Sequence, residues 1–233
     1  MKETEQLQAT AKDTEDKLIR SVIISGGTID REHALRVLAR EKYDYIIVAD
    51  KGLSFLCEEH IEPTHIVGDF DSLEEGVLEQ YLSNPNIKIR IFNPIKDSTD
   101  TEIAIRLAME LKSKEIMILG GTGGRLDHTL GNIQAMSIPV MAGASCCMED
   151  PQNRIEVLIT GRTIRKEDAF GKYISFFPLS GNVEGLTLKG FKYPLENHTL
   201  TPFDSLAVSN EITEETAVIS FRRGLVTMVM SLD

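Results

Sequence analysis

Two aspartates, Asp69 and Asp71, follow directly on an apolar run in the stretch THIVGDFDSL. In extended backbone, residues two apart point the same way, about 6.6–6.8 Å apart along the strand, so both carboxylates can face one point. Two such charges at about 4 Å repel by about 4 kcal/mol at an effective dielectric of about 20. A divalent cation relieves this repulsion, and oxygen ligands without His or Cys favour Mg²⁺. Alternatively, Asp71 and Ser72 cap a helix that begins near Leu73, which leaves Asp69 without a role.

A second polar cluster lies in the stretch NPIKDSTDTE. Thr99 and Glu102 have the spacing of a capping box at the start of a helix. This leaves Lys96, Asp97 and Asp100, although acids near a helix start are also ordinary partners of the helix dipole. Together with the first pair of aspartates, four carboxylates then converge on one edge of a sheet, which suggests a metal–phosphate centre.

A third cluster, LGGTGGRLDH, joins a predicted strand to a predicted helix. Glycines let the backbone approach a phosphate closely, and a helix N-terminus offers free N–H donors. Arg125 can hold phosphate oxygens in a bidentate fork, and Asp127 is predicted to cap the helix alongside any metal role. The G-K-[ST] ending of a P-loop is missing, and the cluster does not lie in the first strand–helix turn, where a dinucleotide-binding fingerprint would be.

Two further strand ends carry small polar motifs. In VADKGL, Asp50 ends a strand and Gly52 opens a helix, and SGGTID at residues 25–30 has the same position. Helix capping explains each of them, and a phosphate or ribose contact is the alternative.

The elements that must position these clusters alternate regularly through residues 21–136. Apolar strands are followed by helical stretches in five pairs: 21–25 and 30–40, 45–50 and 52–60, 64–69 and 73–82, 87–92 and 99–112, and 115–120 and 127–136. Each strand is a continuous apolar run, which predicts a parallel sheet with helices on both faces. In such sheets ligands bind outside the carboxyl ends of the strands, where all of these clusters fall.

After about residue 155 the chain changes to short strands separated by turn residues, without a helical period. This pattern predicts an antiparallel β-sandwich. We therefore expect an α/β domain at 21–156 followed by a C-terminal antiparallel β-sandwich domain at 157–233. Residues 1–20 mix both charges and lack an apolar signal core, so we expect a polar, partly helical extension.

Composition narrows the classes of function. The formal net charge of −11 disfavours binding to nucleic acid or to an anionic membrane. No apolar run approaches the roughly 18 residues of a membrane span, and we expect a cytoplasmic protein. Cys57, Cys146 and Cys147 cannot all pair, so we expect reduced structural thiols. The five histidines include no H-x-x-x-H pair, which makes zinc a poor candidate.

The motifs GDFDS, KDSTDTE and GGTGGRLDH, followed by LKGFKYPLEN and AVSNE, resemble those of the thiamine pyrophosphokinase family from Ser21 to the end of the chain. The resemblance implies transfer of the terminal pyrophosphate of ATP to the hydroxyl of thiamine, with Mg²⁺ and AMP as a product. It implies a homodimer, with ATP over the α/β domain and thiamine between that domain and the partner's β-sandwich.

Site residues carry over from the resemblance by motif. For Mg²⁺ it implies Asp69, Asp71 and Asp100, and the catalytic set adds Asp97 and Arg125. Around ATP it implies Asp50, Lys51, Gly52, Lys96, Thr99, Gly120, Gly121, Gly123, Gly124, Arg125, Asp127 and His128. For thiamine it implies Ser205, Ser209, Asn210 and Tyr173.

Two departures from the family pattern leave alternatives open. The family commonly has Asp-Gly-Gly where this chain has Asp50-Lys51-Gly52, so Lys51 either contacts phosphate or points to water. Some relatives place a tryptophan against thiamine, and this chain has none. Tyr173, at a matching position, either stacks on thiamine or packs within the sandwich.

The expected mechanism is attack of the thiamine hydroxyl on the β-phosphorus, with AMP leaving and with Asp71 or Asp97 accepting the proton. Alignment and charge neutralisation dominate such transfers. Two alternatives stand beside it. One is a Mg²⁺-dependent phosphohydrolase, since D-x-D at a strand end also serves phosphoryl-aspartate chemistry, and the other is a non-catalytic nucleotide-binding module.

Overall fold

The computed structural model describes residues 18–69, 73, 76–91 and 98–233. Its strands are β1 (Arg20–Ile24), β2 (Tyr45–Ala49), β3 (His65–Gly68), β4 (Lys88–Ile91), β5 (Glu115–Leu119), β6 (Ser145–Glu149), β7 (Asn153–Leu158), β8 (Arg162–Arg165), β9 (Tyr173–Pro178), β10 (Val183–Lys189), β11 (Leu195–Leu200), β12 (Thr216–Ser220) and β13 (Val226–Ser231). Its helices are α1 (Arg31–Arg40), α2 (Gly52–Glu58), α3 (Glu79–Leu82), α4 (Asp100–Glu110), α5 (Leu126–Ala135) and α6 (Ser137–Met141).

The larger sheet has the strand order β4-β3-β2-β1-β5-β6-β7-β13-β9. The strands from β4 to β6 pair in parallel, which confirms the predicted parallel sheet. From β1 the chain builds outwards to β4 on one side and through β5 to β6 on the other. The order therefore reverses between β1 and β5, and such a switch point leaves a crevice at the carboxyl ends of the strands.

The C-terminal strands form the predicted antiparallel β region. A second sheet has the order β11-β10-β12-β8. Its partner layer is made by β9 and β13, which pair antiparallel with each other and extend the larger sheet through β7. The space between the layers is filled by apolar side chains from both, among them Phe176, Met228, Leu186 and Ile219. The domain limits at residues 20/21 and 156/157 remain predictions.

Burial on both faces explains the apolar runs of the central strands. Ile23 lies between Ile47 and Ile118 in the sheet, and all three belong to the core cluster beneath α4. The alternate residues, among them Val22 and Val48, face the opposite core, which contains residues of α1 and α2. The helices thus cover both faces of the parallel part, as predicted.

One predicted helix is much shorter than expected. Of the described residues in the stretch 73–82, only Glu79–Leu82 form a helix, and Gly76 has a φ of 89° that interrupts a helical path. A helix beginning near Leu73, which Asp71 and Ser72 would have capped, is therefore wrong, although those two residues lie outside the described ranges. Within the described ranges, no helix has the length and apolarity needed to span a bilayer.

Candidate nucleotide-binding cleft

A cleft of about 600 Å³ opens at the switch point. It lies where β1, β2 and β5 end and where α4 and α5 begin. Many of the residues predicted to bind ATP line it: Asp50, Lys51, Thr99, Asp100, Gly120, Gly121, Gly123, Gly124, Arg125 and His128. Four of the five polar clusters, which are distant in the sequence, therefore contribute to one cavity.

The glycine-rich loop after β5 packs backbone to backbone against the loop after β1. Gly27 N–H donates to the Gly120 carbonyl at 2.8 Å, and Thr28 N–H donates to the Thr122 carbonyl at 3.1 Å. A Cβ on Gly27 would lie 2.4 Å from the Gly120 oxygen, and one on Gly123 would lie 2.6 Å from Thr28 Cβ. Gly123 also has a φ of 85°, so glycine is required there by both space and conformation.

The loop after β1 has two roles: it caps α1 and it lines the cleft. Asp30 caps α1, because its carboxylate accepts from His33 N–H at 2.8 Å. Residues 25–28 line the cleft. In this motif, therefore, the aspartate caps the helix as predicted. The other residues, Ser25 to Thr28, line the space where a ligand could bind.

Arg125 and Asp127 lie at the rim of the cleft and pair with each other. The guanidinium of Arg125 donates to Asp127 through Nη2 at 2.6 Å and Nε at 3.2 Å, and both side chains are largely exposed. This bond lowers the pKa of the Asp127 carboxyl. The predicted N-cap role of Asp127 is wrong: Arg125 holds the N-cap position of α5, and Asp127 accepts from the adjacent His128 N–H.

The first turn of α4 carries the second cluster. Thr99 caps the helix by accepting from Glu102 N–H at 3.2 Å, while the Glu102 carboxylate accepts from Ser98 and Arg106. Asp100 follows in the first turn and lines the cleft. The neighbouring Thr101 hydroxyl lies 3.0 Å from the Ser25 hydroxyl in a buried pair, which ties this helix start to the end of β1.

The turn after β2 has an unusual backbone. Asp50 has a φ of 47°, a left-handed conformation that costs energy for a residue with a side chain. Its carbonyl accepts from Leu53 N–H at 3.0 Å, and Lys51 is exposed at the cleft. Gly52 is buried outside the cleft lining, where a Cβ would lie 2.4 Å from the Ile24 carbonyl oxygen. This close backbone packing explains why the position requires a glycine.

The predicted magnesium ligands are only partly described. Asp100 lines the cleft, Asp69 is half-buried directly after β3, and Asp71, Asp97 and Lys96 lie outside the described residues. Among the residues with described positions, no group of three or more His, Cys, Asp or Glu side chains could hold a metal by itself. The acidic donors in the cleft are the carboxylates of Asp50 and Asp100, which suit a hard cation whose remaining ligands are phosphate oxygens or water.

The residues predicted for thiamine lie in the C-terminal β region and do not line this cleft. Asn210 is buried, and its side chain donates to the Tyr193 carbonyl at 2.8 Å and accepts from Tyr193 N–H at 3.0 Å. Tyr173 bonds through its hydroxyl to Lys172 and Asp233. Ser205 and Ser209 are exposed, and Ser209 has a φ of 56°.

Two cleft residues were absent from the sequence prediction. Thr101 lies inside the capping motif, next to Asp100, and the sequence pattern gives it no separate role. Asn132 is buried within α5 and donates to the Gly121 carbonyl at 2.8 Å. A polar residue on the inner side of an otherwise amphipathic helix was the available signal for Asn132.

Comparisons with known proteins match the chain along most of its length. The family model for the catalytic domain of thiamin pyrophosphokinase matches residues 35–148, and the model for its vitamin B1 binding domain matches residues 162–226. The thiamine pyrophosphokinase of Bacillus subtilis is 36% identical over 187 residues, which cover 80% of this chain and 87% of that protein.

Crystal structures show the same architecture. The structure of the Bacillus subtilis thiamine pyrophosphokinase aligns with a TM-score of 0.80 and 33% identity, covering 92% of this chain and 99% of the other. That of the Geobacillus thermodenitrificans thiamin pyrophosphokinase aligns with a TM-score of 0.78 and 32% identity, covering 92% and 98%.

Proposed function

Because the chain belongs to the thiamin pyrophosphokinase family, whose members use ATP as co-substrate, we propose that it transfers the terminal pyrophosphate of ATP to the hydroxyl of thiamine. The products are thiamine pyrophosphate and AMP. The observation that carries this assignment to particular residues is the cleft at the switch point, where a glycine-rich loop, an arginine and two helix N-termini meet within the part of the chain that matches the catalytic domain.

ATP would lie with its phosphates against the loop Gly120–Gly124. The N-termini of α4 and α5 border the same cleft, and helix N-termini favour anions through their free N–H groups and dipoles. The guanidinium of Arg125 would exchange its exposed partner Asp127 for phosphate oxygens, since the fork geometry fits both. Lys51, exposed at the cleft, adds a second cation close to the phosphates.

The aspartates supply the acidic part of the site. Asp69, Asp71 and Asp100 would hold a Mg²⁺ ion, with Asp97 beside them. When bound, this ion would offset negative charge on the phosphate chain. Either Asp71 or Asp97 would accept the proton of the thiamine hydroxyl.

Thiamine would bind in the C-terminal β region, near Ser205, Ser209 and Tyr173. These residues do not line the nucleotide cleft of their own chain, which supports a homodimer in which the partner supplies the thiamine site. Asn210 would act by fixing the loop, because its amide is already engaged with the Tyr193 backbone. The net charge of −11 favours the positive thiazolium ring. The cytoplasmic location stays a prediction from the sequence.

The test is a product analysis. The protein is incubated with ATP, Mg²⁺ and thiamine, and nucleotides and thiamine esters are separated by chromatography. We expect AMP and thiamine pyrophosphate in equal amounts, and no nucleotide turnover when thiamine is omitted. Phosphate release without thiamine would instead indicate the phosphohydrolase, and tight ATP binding without turnover would indicate the binding module. Appearance of ADP with thiamine would reject pyrophosphate transfer.

A further inference from the structure

Three consecutive backbone carbonyls of the glycine-rich loop each accept a hydrogen bond from another part of the protein. The carbonyl of Gly120 accepts from Gly27 N–H at 2.8 Å, and that of Thr122 accepts from Thr28 N–H at 3.1 Å. Between them, the carbonyl of Gly121 accepts from the side-chain amide of Asn132 at 2.8 Å. Two of the three anchors are backbone groups, and the middle one is a side chain that is only 4% exposed.

These bonds fix the direction of the intervening N–H groups. In a planar trans peptide the C=O and the following N–H point in opposite directions. Each of the N–H groups of Gly121, Thr122 and Gly123 therefore points away from the group that holds the carbonyl of its own peptide. In the described part of the chain, none of these N–H groups donates to another residue. Successive backbone N–H groups of a turn can bind phosphate oxygens.

A second side chain holds the loop from another direction. The Thr122 hydroxyl donates to Asp150 Oδ2 at 2.7 Å. Asp150 is itself held in the turn after β6, because its other oxygen accepts from Gln152 N–H at 2.8 Å and Asn153 N–H at 2.7 Å. The carboxylate is thus a fixed acceptor rather than a mobile one, and it connects the loop to the neighbouring strand.

The loop has little room to move away from these anchors. A Cβ on Gly121 would lie 2.3 Å from Met148 Sδ. On the other side, Gly123 packs against Thr28, as described above. Because the backbone is confined on both sides, a change at an anchoring side chain would rotate the peptide rather than displace the whole loop.

We propose that Asn132 and the Thr122–Asp150 pair are positioning residues for ATP: they orient the loop peptides so that their N–H groups meet the phosphate chain. This inference rests on the proposed function and names residues that work through the loop backbone. It does not require either side chain to touch the nucleotide.

The first test is the variant Asn132→Asp, which keeps the size of the side chain but replaces the donor with an oxygen that repels the Gly121 carbonyl. Binding of a non-hydrolysable ATP analogue with Mg²⁺ is measured by calorimetry on the full chain without thiamine. Loss of a buried donor that leaves its acceptor unsatisfied predicts binding about 10- to 100-fold weaker. An affinity within about twofold of wild type, whether or not the melting temperature falls, would overturn the role of Asn132.

The second test compares two substitutions of Thr122. Thr122→Val keeps the shape and loses the hydroxyl, whereas Thr122→Ser keeps the hydroxyl. We expect Thr122→Val to bind the analogue about fivefold more weakly and to raise the KM for ATP but not that for thiamine, with Thr122→Ser close to wild type. Equal affinities of the two variants would remove the Thr122–Asp150 pair from the inference.

A matched control is Thr213→Val. It removes a hydroxyl that donates to the Gly190 carbonyl at 3.3 Å in the C-terminal β region. Its analogue affinity should equal that of wild type, and an equal loss in this variant would indicate a general effect of destabilisation.

The outcomes also separate this inference from the proposed function. A wild-type protein that binds the analogue but makes no AMP with thiamine would reject the proposed reaction and leave the binding test valid. A wild type that makes AMP, with Asn132→Asp and Thr122→Val unchanged in affinity, would reject only the positioning role. A wild type that binds no analogue would overturn both.

Discussion

Two buried asparagines hold loops in the two halves of the molecule, and they do so differently. Asn132 in the α/β half donates to the Gly121 carbonyl, and Asn210 in the β half donates to the Tyr193 carbonyl, each at 2.8 Å. Asn210 also accepts from the N–H groups of Tyr193 and Glu211, both at 3.0 Å. The amide of Asn210 therefore satisfies both carbonyl and N–H groups of its loop, whereas Asn132 engages a carbonyl and leaves the loop N–H groups available.

The surfaces beside these loops differ accordingly. Among the residues that line the cleft, the exposed ones are glycines and polar residues such as Arg125, Lys51 and His128. In the β half, the loop before Asn210 exposes apolar side chains, with Phe203 at 96% and Leu206 at 57% of their accessible surface. This difference fits the proposed function, in which one half would offer hydrogen-bond donors to an anion and the other would offer apolar side chains to a ring or to a second chain.

The largest effect is expected from the loss of a carboxylate in the α/β half, which we call the nucleotide half. In Asp100→Asn the shape of the side chain is kept and its charge is lost. Because we place Asp100 in the Mg²⁺ and phosphate site, kcat for AMP formation should fall on the order of 10³-fold. The measurement is AMP formation at saturating ATP, Mg²⁺ and thiamine.

The matched control is Asp168→Asn, an equally isosteric change of an exposed aspartate at 66% side-chain exposure in the β half. It should leave kcat unchanged. If Asp100→Asn retained more than about a tenth of the wild-type rate, the acidic centre would have to lie elsewhere and the nucleotide half would lose its catalytic role.

The next effect in size is expected from Arg125. Arg125→Ala removes the bidentate donor at the rim of the cleft and should lower kcat/KM for ATP about 100-fold, with Arg125→Lys intermediate because it keeps the charge but not the fork. Initial rates over a range of ATP concentrations provide the measurement. The KM for thiamine should stay unchanged, because we place thiamine in the β half, and equal losses for both substrates would contradict this division.

Asn210→Asp is the counterpart of the Asn132 variant and should act on the other substrate. It removes the donor to the Tyr193 carbonyl, so the loop shifts and the KM for thiamine should rise about tenfold. Binding of the ATP analogue should match wild type, which calorimetry checks. Were Asn210→Asp to weaken analogue binding as much as Asn132→Asp does, the two halves would not be separate in function.

Local patterns were predictable from the sequence because they depend on neighbouring residues. The cap at Thr99 is set by a residue three positions away, and the structure confirms it through Glu102 N–H. The parallel sheet followed from five apolar strands alternating with helices, and the edge at which the cleft lies followed from the rule that ligands bind outside the carboxyl ends of the strands.

Features that depend on distant contacts were not predictable in this way. From the sequence alone, the glycines at 27 and 120 indicate a close approach to phosphate, whereas the need for glycine comes from two loops that meet only in the folded chain. The pairing of β13 with β7 joins the β region to the larger sheet, and the sequence of neither strand by itself indicates this partner. Asn132 was missed for the same reason, since its partner lies in another element.

The smallest expected effect concerns stability and again distinguishes the halves. His65 in β3 is buried in the nucleotide half, 5.6 Å from Tyr45 in an edge-to-face contact, and its pKa is lowered by burial and then by Lys88 and Arg90. The unfolded chain therefore binds a proton here more readily than the folded chain. The free energy of unfolding should therefore fall as the pH drops below about 6.5, and it should stop falling once the pH is below the pKa of the folded state. Over this range the unfolded chain binds up to about one proton more than the folded chain, and this difference sets the slope.

His65→Phe keeps an aromatic ring against Tyr45 and removes the titrating group, so it should lose that part of the acid sensitivity. Urea unfolding at several pH values between neutral and acid measures the slope for each variant. His60→Asn is the control, because His60 is exposed with a φ of 54° that asparagine tolerates. If His65→Phe kept the wild-type slope while His60→Asn lost it, the acid-sensitive group would lie on the surface rather than in the core of the nucleotide half.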